Sequence, residues 1–239
     1  SKRASEFTSF IVMDVMAEAE ALERKGEHII HMEVGEPDFP TPKAVIDAAI
    51  AALKNNKTRY THALGLLELR QAVCDYYRRE YGVSITPDQV LISTGTSPVL
   101  LFAMLAILDP GNEVIVSNPR YPCYQNFIGA AGGKLKEIQT YPEEGFQYRH
   151  KDIAKKISRR TKGIIINSPC NPTGIVMSKE HLQDIARFDA PYIISDEIYH
   201  GLVYGDKAHS ILEFTDRAFV INGFSKLYAM TGWRLGYLI

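Results

Sequence analysis

The sequence predicts an α/β protein built on a mainly parallel sheet with crossover helices. Short Val- and Ile-rich runs alternate along the chain with segments of helical periodicity. Asn171, Asp196 and Lys226 each fall just past the carboxyl end of such a run, where open α/β sheets bind ligands. A chain of 239 residues is long enough for one large domain of this kind or two small ones.

Composition narrows the function. Hydrophobic residues make up 46% and the net charge is −1, as in an ordinary soluble globular protein. No Lys/Arg run is long enough for a nucleic-acid footprint, and the longest apolar run, 99–108, is too short to cross a bilayer. The opening Ser1-Lys2-Arg3-Ala4-Ser5-Glu6 shows no secretory signal. Cys74, Cys123 and Cys170 are odd in number and widely spaced, which fits reduced thiols in a cytoplasm and argues against a disulfide framework or a zinc site.

Residues 9–25 carry Phe10, Met13, Val15, Met16, Ala19 and Leu22 as an apolar stripe ending at Gly26, which predicts a helix. Residues 29–32 are a short strand candidate. Gly35-Glu36-Pro37-Asp38-Phe39-Pro40-Thr41-Pro42 then reads as a turn, with Thr41 as N-cap and Pro42 opening a helix. Helices are expected over 42–53 and 64–81, the second turning Leu67, Leu69, Val73 and Tyr77 inward. A strand over 89–93 passes through Thr94-Gly95-Thr96-Ser97-Pro98 into an apolar helix over 99–108. Small residues at such a turn can aim backbone N–H groups at an anion, and N-capping alone would also explain them. No Walker lysine and no G-x-G-x-x-G fingerprint is present.

The strand over 113–117 leads into Asn118-Pro119-Arg120-Tyr121-Pro122-Cys123-Tyr124, a stiff aromatic loop. A strand over 134–139, a loop over 141–149 and a helix over 152–157 follow. The strand over 163–167 ends in Ser168-Pro169-Cys170-Asn171-Pro172-Thr173-Gly174, a turn on composition alone. After a helix over 179–188, the strand over 192–195 delivers Asp196-Glu197-Ile198-Tyr199-His200. An acid at the end of a buried strand is costly unless paired. Glu197 has no evident chemical role, and His200 reads as structural. The strand over 218–221 delivers Asn222-Gly223-Phe224-Ser225-Lys226, and a last strand over 234–239 begins at Arg234. A lysine whose neighbours disfavour its charge can lose its proton near neutral pH and attack a carbonyl.

The Lys226 run, with Met230-Thr231-Gly232-Trp233-Arg234-Leu235-Gly236-Tyr237 behind it, resembles the lysine motif of the class I and II aminotransferases. These are pyridoxal 5′-phosphate (PLP) enzymes of fold type I, with a three-layer αβα large domain. The resemblance covers nearly the whole chain and implies roles residue by residue. Lys226 would form the Schiff base and act as the proton carrier. Asp196 would pair with the pyridine nitrogen, while Asn171 and Tyr199 would donate to the phenolic oxygen. Tyr121 would stack on the ring. Gly95, Thr96, Ser97, Ser225 and Arg234 would hold the phosphate. Tyr60, in Tyr60-Thr61-His62-Ala63-Leu64-Gly65, would reach the phosphate of a neighbouring subunit, which implies a homodimer. Gly35 would line the substrate pocket together with Asn171. Many relatives carry a phosphate-binding serine where this chain has Gly223.

The resemblance further implies that residues 1–38 belong to a small domain and 39–239 to the PLP-binding large domain. The remainder of the large domain, the C-terminal small domain and the arginine for the substrate α-carboxylate would lie beyond Ile239, as in a fragment. The expected activity is amino transfer from an α-amino acid to a 2-oxo acid by a ping-pong mechanism. A PLP-dependent β-lyase on the same fold, or a non-catalytic PLP-sensing module of a regulator, are the alternatives.

Overall fold

A computed structural model describes residues 4–5, 7–188, 191–205 and 207–239. Ser1, Lys2, Arg3 and Glu6, which belong to the opening stretch and to the expected 1–38 segment, lie outside the described residues. The helices are α1 (Ile11–Glu23), α2 (Lys43–Lys54), α3 (Leu67–Tyr81), α4 (Thr96–Ile107), α5 (Tyr124–Ala130), α6 (His150–Lys156) and α7 (Lys179–Ala186). The strands are β1 (Leu91–Ser93), β2 (Glu113–Asn118), β3 (Lys134–Gln139), β4 (Thr161–Asn167), β5 (Tyr192–Asp196), β6 (Ala218–Gly223) and β7 (Gly236–Leu238).

All seven strands form one sheet in the order β1-β7-β6-β5-β4-β2-β3. The block from β6 to β3 is parallel throughout, and β7 runs antiparallel to both β6 and β1. Side chains alternate across the pleat, so each strand feeds two cores. Ile164 and Ile166 join Val73, Tyr77, Ile153, Leu182 and Ile185 on the side of α3, α6 and α7. Ile165 joins Val99, Leu100, Met104, Tyr124 and Ile128 on the side of α4 and α5. This is the expected three-layer arrangement. Among the described residues no helix is long and apolar enough to cross a membrane.

Several local expectations are corrected. Residues 29–32 form no strand: no strand of the sheet pairs with them, and Ile30 and Met32 are 78% and 89% exposed. The stripe on α1 buries only Ala19. Leu67, the first residue of α3, is 57% exposed and does not turn inward. Helix α5 begins at the last residue of the aromatic loop and runs through a stretch to which the sequence assigns no element, because its seven residues include a glycine and carry too little periodicity to announce it. The last strand starts at Gly236, because Arg234 adopts φ +53°, a left-handed conformation that breaks strand geometry.

Candidate active site

A cleft of about 730 Å³ opens at the carboxyl ends of the parallel strands. Lys226 reaches it from the loop after β6. Its Nζ donates to the Gly35 carbonyl at 2.6 Å, across 191 residues of sequence. Burial holds the lysine's pKa below the usual range; Glu36 opposes that shift and Arg234 adds to it. The segment bearing Gly35 is pinned to the same loop. Thr41 Oγ1 donates to the Ala229 carbonyl at 2.6 Å, Trp233 Nε1 donates to Thr41 Oγ1 at 3.0 Å, and Thr231 bonds Glu36.

Asp196 closes β5 and is buried. Its Oδ2 accepts from the Tyr124 hydroxyl at 2.7 Å and its Oδ1 from the Ile198 N–H at 3.3 Å. Burial pushes its carboxyl up to about 6, against the two donors, with neighbouring Glu197 adding a smaller push upward. A buried acid held this way is ready to ionise against an incoming cation. Beside it, Asn171 Nδ2 donates to the Tyr199 hydroxyl at 3.4 Å, so both groups point at one spot. Asn167 sets this loop: its Oδ1 accepts the Asn171 N–H at 2.7 Å, and its Nδ2 donates to the Asp196 carbonyl at 2.9 Å. Tyr121 forms another wall, edge-on to Tyr124 at 5.4 Å and to Phe10 at 5.8 Å between ring centroids. Burial raises its phenol.

The anion end lies where α4 meets β7. Gly95 caps α4 with φ +101°, and a Cβ there would stand 2.5 Å from Arg234 Nη2. The missing side chain therefore leaves room for the guanidinium to lie on the helix N-terminus, a cation joined to free N–H groups. Arg234 is held by its Nη1 donating to the Thr231 carbonyl at 2.8 Å. Gly223 is confined as well: a Cβ would meet the Leu235 carbonyl oxygen at 3.0 Å and Gly236 Cα at 3.1 Å. A serine there needs β7 to give way.

The cleft wall thus gathers Gly35, Thr96, Ser97, Tyr121, Asn171, Asp196, Tyr199 and Lys226. Gly95, Ser225 and Arg234 lie outside that wall, the first and last meeting at the start of α4. Tyr60 is fully exposed and lines no part of this cleft. Sequence reasoning missed Tyr124 and Asn167. Tyr124 stood in the aromatic loop with nothing to single it out, and Asn167 read as the end of a strand.

The family described as aminotransferase class I and II matches residues 27–239. The chain belongs to that family. It is 48% identical to a (5-formylfuran-3-yl)methyl phosphate transaminase of Methanocaldococcus jannaschii over all of this chain and 63% of that protein. It is 42% identical to an aspartate aminotransferase of Thermotoga maritima, over all of this chain and 65% of that one. The structure of the Thermus thermophilus aspartate aminotransferase with maleate superposes with a TM-score of 0.96 at 40% identity, covering 100% of this chain and 63% of that one. The chain therefore spans somewhat under two thirds of the length of these relatives. The cofactor of class I and II aminotransferases is PLP, and the residues present fit it. A buried acid suits a pyridinium, an Asn–Tyr pair suits a phenolic oxygen, and the guanidinium on the α4 N-terminus, made possible by Gly95, suits a phosphate.

Proposed function

We propose that this chain belongs to a PLP-dependent aminotransferase, moving an amino group from an α-amino acid to a 2-oxo acid. The observation that carries the reading is the meeting of Lys226, Asp196 and the Asn171–Tyr199 pair in one cleft from three separate strand ends. Thr96, Ser97, Gly95, Ser225 and Arg234 would hold the cofactor phosphate, and Tyr121 would cover its ring. Asp196, ionised, would pair with the ring nitrogen, and Asn171 and Tyr199 would steady its oxygen. Lys226 would hold the cofactor through Nζ and, once free, take the proton from the substrate Cα; its depressed pKa suits a base near neutral pH. Bound PLP supplies an electron sink for the pair left at that carbon. Gly35 would face the substrate, and residues 1–38 would belong to the small domain.

Nothing in the fold or among these relatives favours the lyase or the non-catalytic sensor. We further propose a cytoplasmic homodimer. Free Cys74, Cys123 and Cys170 support the compartment. An exposed apolar set including Ile11, Ile30, Met32, Leu66 and Leu67, with Tyr60 standing clear of its own cleft, supports the dimer.

The test is a visible absorption spectrum of the full-length protein with PLP, before and after a mixed pool of amino acids, beside Lys226→Ala. A band that requires Lys226 and shifts with amino acid is expected, with amino transfer to a 2-oxo acid. A folded protein with no Lys226-dependent band would remove the catalytic reading.

A further inference from the structure

The sheet face away from the cleft holds a buried acid that the proposed mechanism does not use. Glu197 directly follows Asp196, and the two side chains leave the end of β5 on opposite sides. Glu197 Oε1 accepts from the Ser195 hydroxyl at 2.9 Å, the Ser210 hydroxyl at 3.0 Å and the Ile211 N–H at 3.0 Å. Its Oε2 accepts from the Tyr77 hydroxyl at 3.3 Å. That hydroxyl in turn receives Asn222 Nδ2 at 3.5 Å, while Asn222 Oδ1 accepts the Gly223 N–H at 2.7 Å. A continuous set of bonds therefore runs from the residue after Asp196, through α3, to the strand end that delivers Lys226.

His200 Nδ1 approaches Glu197 Oε2 at 3.5 Å and pairs with the Tyr81 hydroxyl at 2.8 Å. Burial lowers His200 to about 4, so the imidazole is neutral at pH 7 and this approach is not an ion pair. The titratable groups on Glu197's side of the sheet are thus Tyr76, Tyr77 and Tyr81 of α3, His200 of its own loop and Tyr237 of β7, with His209 and Glu213 behind His200, while Asp196 acts on it from the other side. An apolar residue at this position would leave three hydroxyls and a backbone N–H with no acceptor in the interior, a costly state.

We infer that Glu197 is a positioning residue: from the far side of the sheet it holds the Asp196 carboxylate and the Lys226 loop at a set separation. The inference rests on the reading of the cleft as a PLP site. Burial raises Glu197 to about 7, so its carboxyl is partly ionised at pH 7 and carries its charge above that pH, where it favours positive charge in the cleft.

The test uses the full-length holoprotein with Glu197→Gln, which keeps an acceptor oxygen and the size but not the charge. Ser210→Ala, which deletes a single donor, serves should the first variant not fold. The pH midpoint of the Lys226-dependent absorption band should fall by roughly half a unit in Glu197→Gln, since the carboxyl, ionised above about 7, no longer stabilises the band's protonated form. The kcat should fall by roughly tenfold with a smaller change in KM, as expected when reacting groups are misplaced slightly. Ser210→Ala should move both in the same direction by less. A wild-type band together with variants that keep its midpoint and kcat overturns this inference alone. A wild type with no Lys226-dependent band overturns the site reading, and this inference with it.

Discussion

At the scale of single residues, the least expected finding is that Asp196 has a phenol on it. The Tyr124–Asp196 contact spans 72 residues and lies wholly in the interior. Removing that donor disfavours the ionised carboxylate, so Tyr124→Phe should raise the Asp196 pKa beyond its value of about 6. Carboxyl infrared or NMR titration of the protein without cofactor would read the change, and PLP should bind more weakly at pH 7. An unaltered titration would show that the phenol does not set the acid's charge. That Lys226, Asp196 and Asn171 stand at one end of the sheet was legible because each follows an apolar run, a local pattern, while the roles expected of them came from the family resemblance. Tyr124 and Asn167 were not, because their work is done across the fold and leaves no local trace. His200 read as structural and is buried against Tyr81, whereas Glu197 was visible without a role: a DE pair names two acids without saying that they face opposite sides of a sheet.

At the scale of elements, the junction of α4 with β7 has no slack. A Cβ on Gly236 would stand 2.7 Å from the Gly95 carbonyl carbon and 2.9 Å from the Thr96 nitrogen, both backbone atoms that cannot swing aside. Gly236→Ala should therefore cost about 1–3 kcal/mol, the usual range for overpacking, seen as a lower urea midpoint at unchanged m-value. It should also weaken PLP binding by displacing Arg234, and wild-type values for both would refute the argument. Periodicity and β-branched runs placed most elements within a few residues of where they stand, β3 at its full extent. The failures share a cause. The candidate strand at 29–32 has the right residues but no partner in the sheet, and α5 has a place in the sandwich that its own seven residues do not advertise. Pairing and docking belong to the tertiary structure.

At the scale of the whole molecule, the buried acids shape the response to pH. Burial raises Glu197 to about 7 and Asp196 to about 6. An acid raised in the folded state stabilises the fold while protonated, and that contribution disappears as pH climbs through the folded pKa. His200, depressed to about 4, acts in the opposite sense, with stability lost as pH falls from its unfolded value toward that figure. Only above about pH 7.5 is the histidine's part nearly complete. Exposed His31, raised to about 8 chiefly by its bonds to Glu33 and Glu23, still loses its contribution there. Unfolding of the cofactor-free protein should thus cost about 1 kcal/mol less at pH 8.5 than at pH 6.5 on account of Glu197. Glu197→Gln should flatten that part of the slope, and an equal slope in both proteins would contradict it. A mainly parallel sheet with crossover helices could be foreseen from the alternation of runs, whereas this pH response depends on which acids the packing seals. The pinning of the Gly35 segment to the Lys226 loop has a consequence for inheritance. Thr41, Glu36 and Gly35 face Ala229, Thr231 and Lys226 across almost the whole chain, so the two stretches form a single unit of exchange. A chimera that takes 35–41 from one relative and 226–233 from another breaks a matched set, while one that moves both together carries its lysine's surroundings with it.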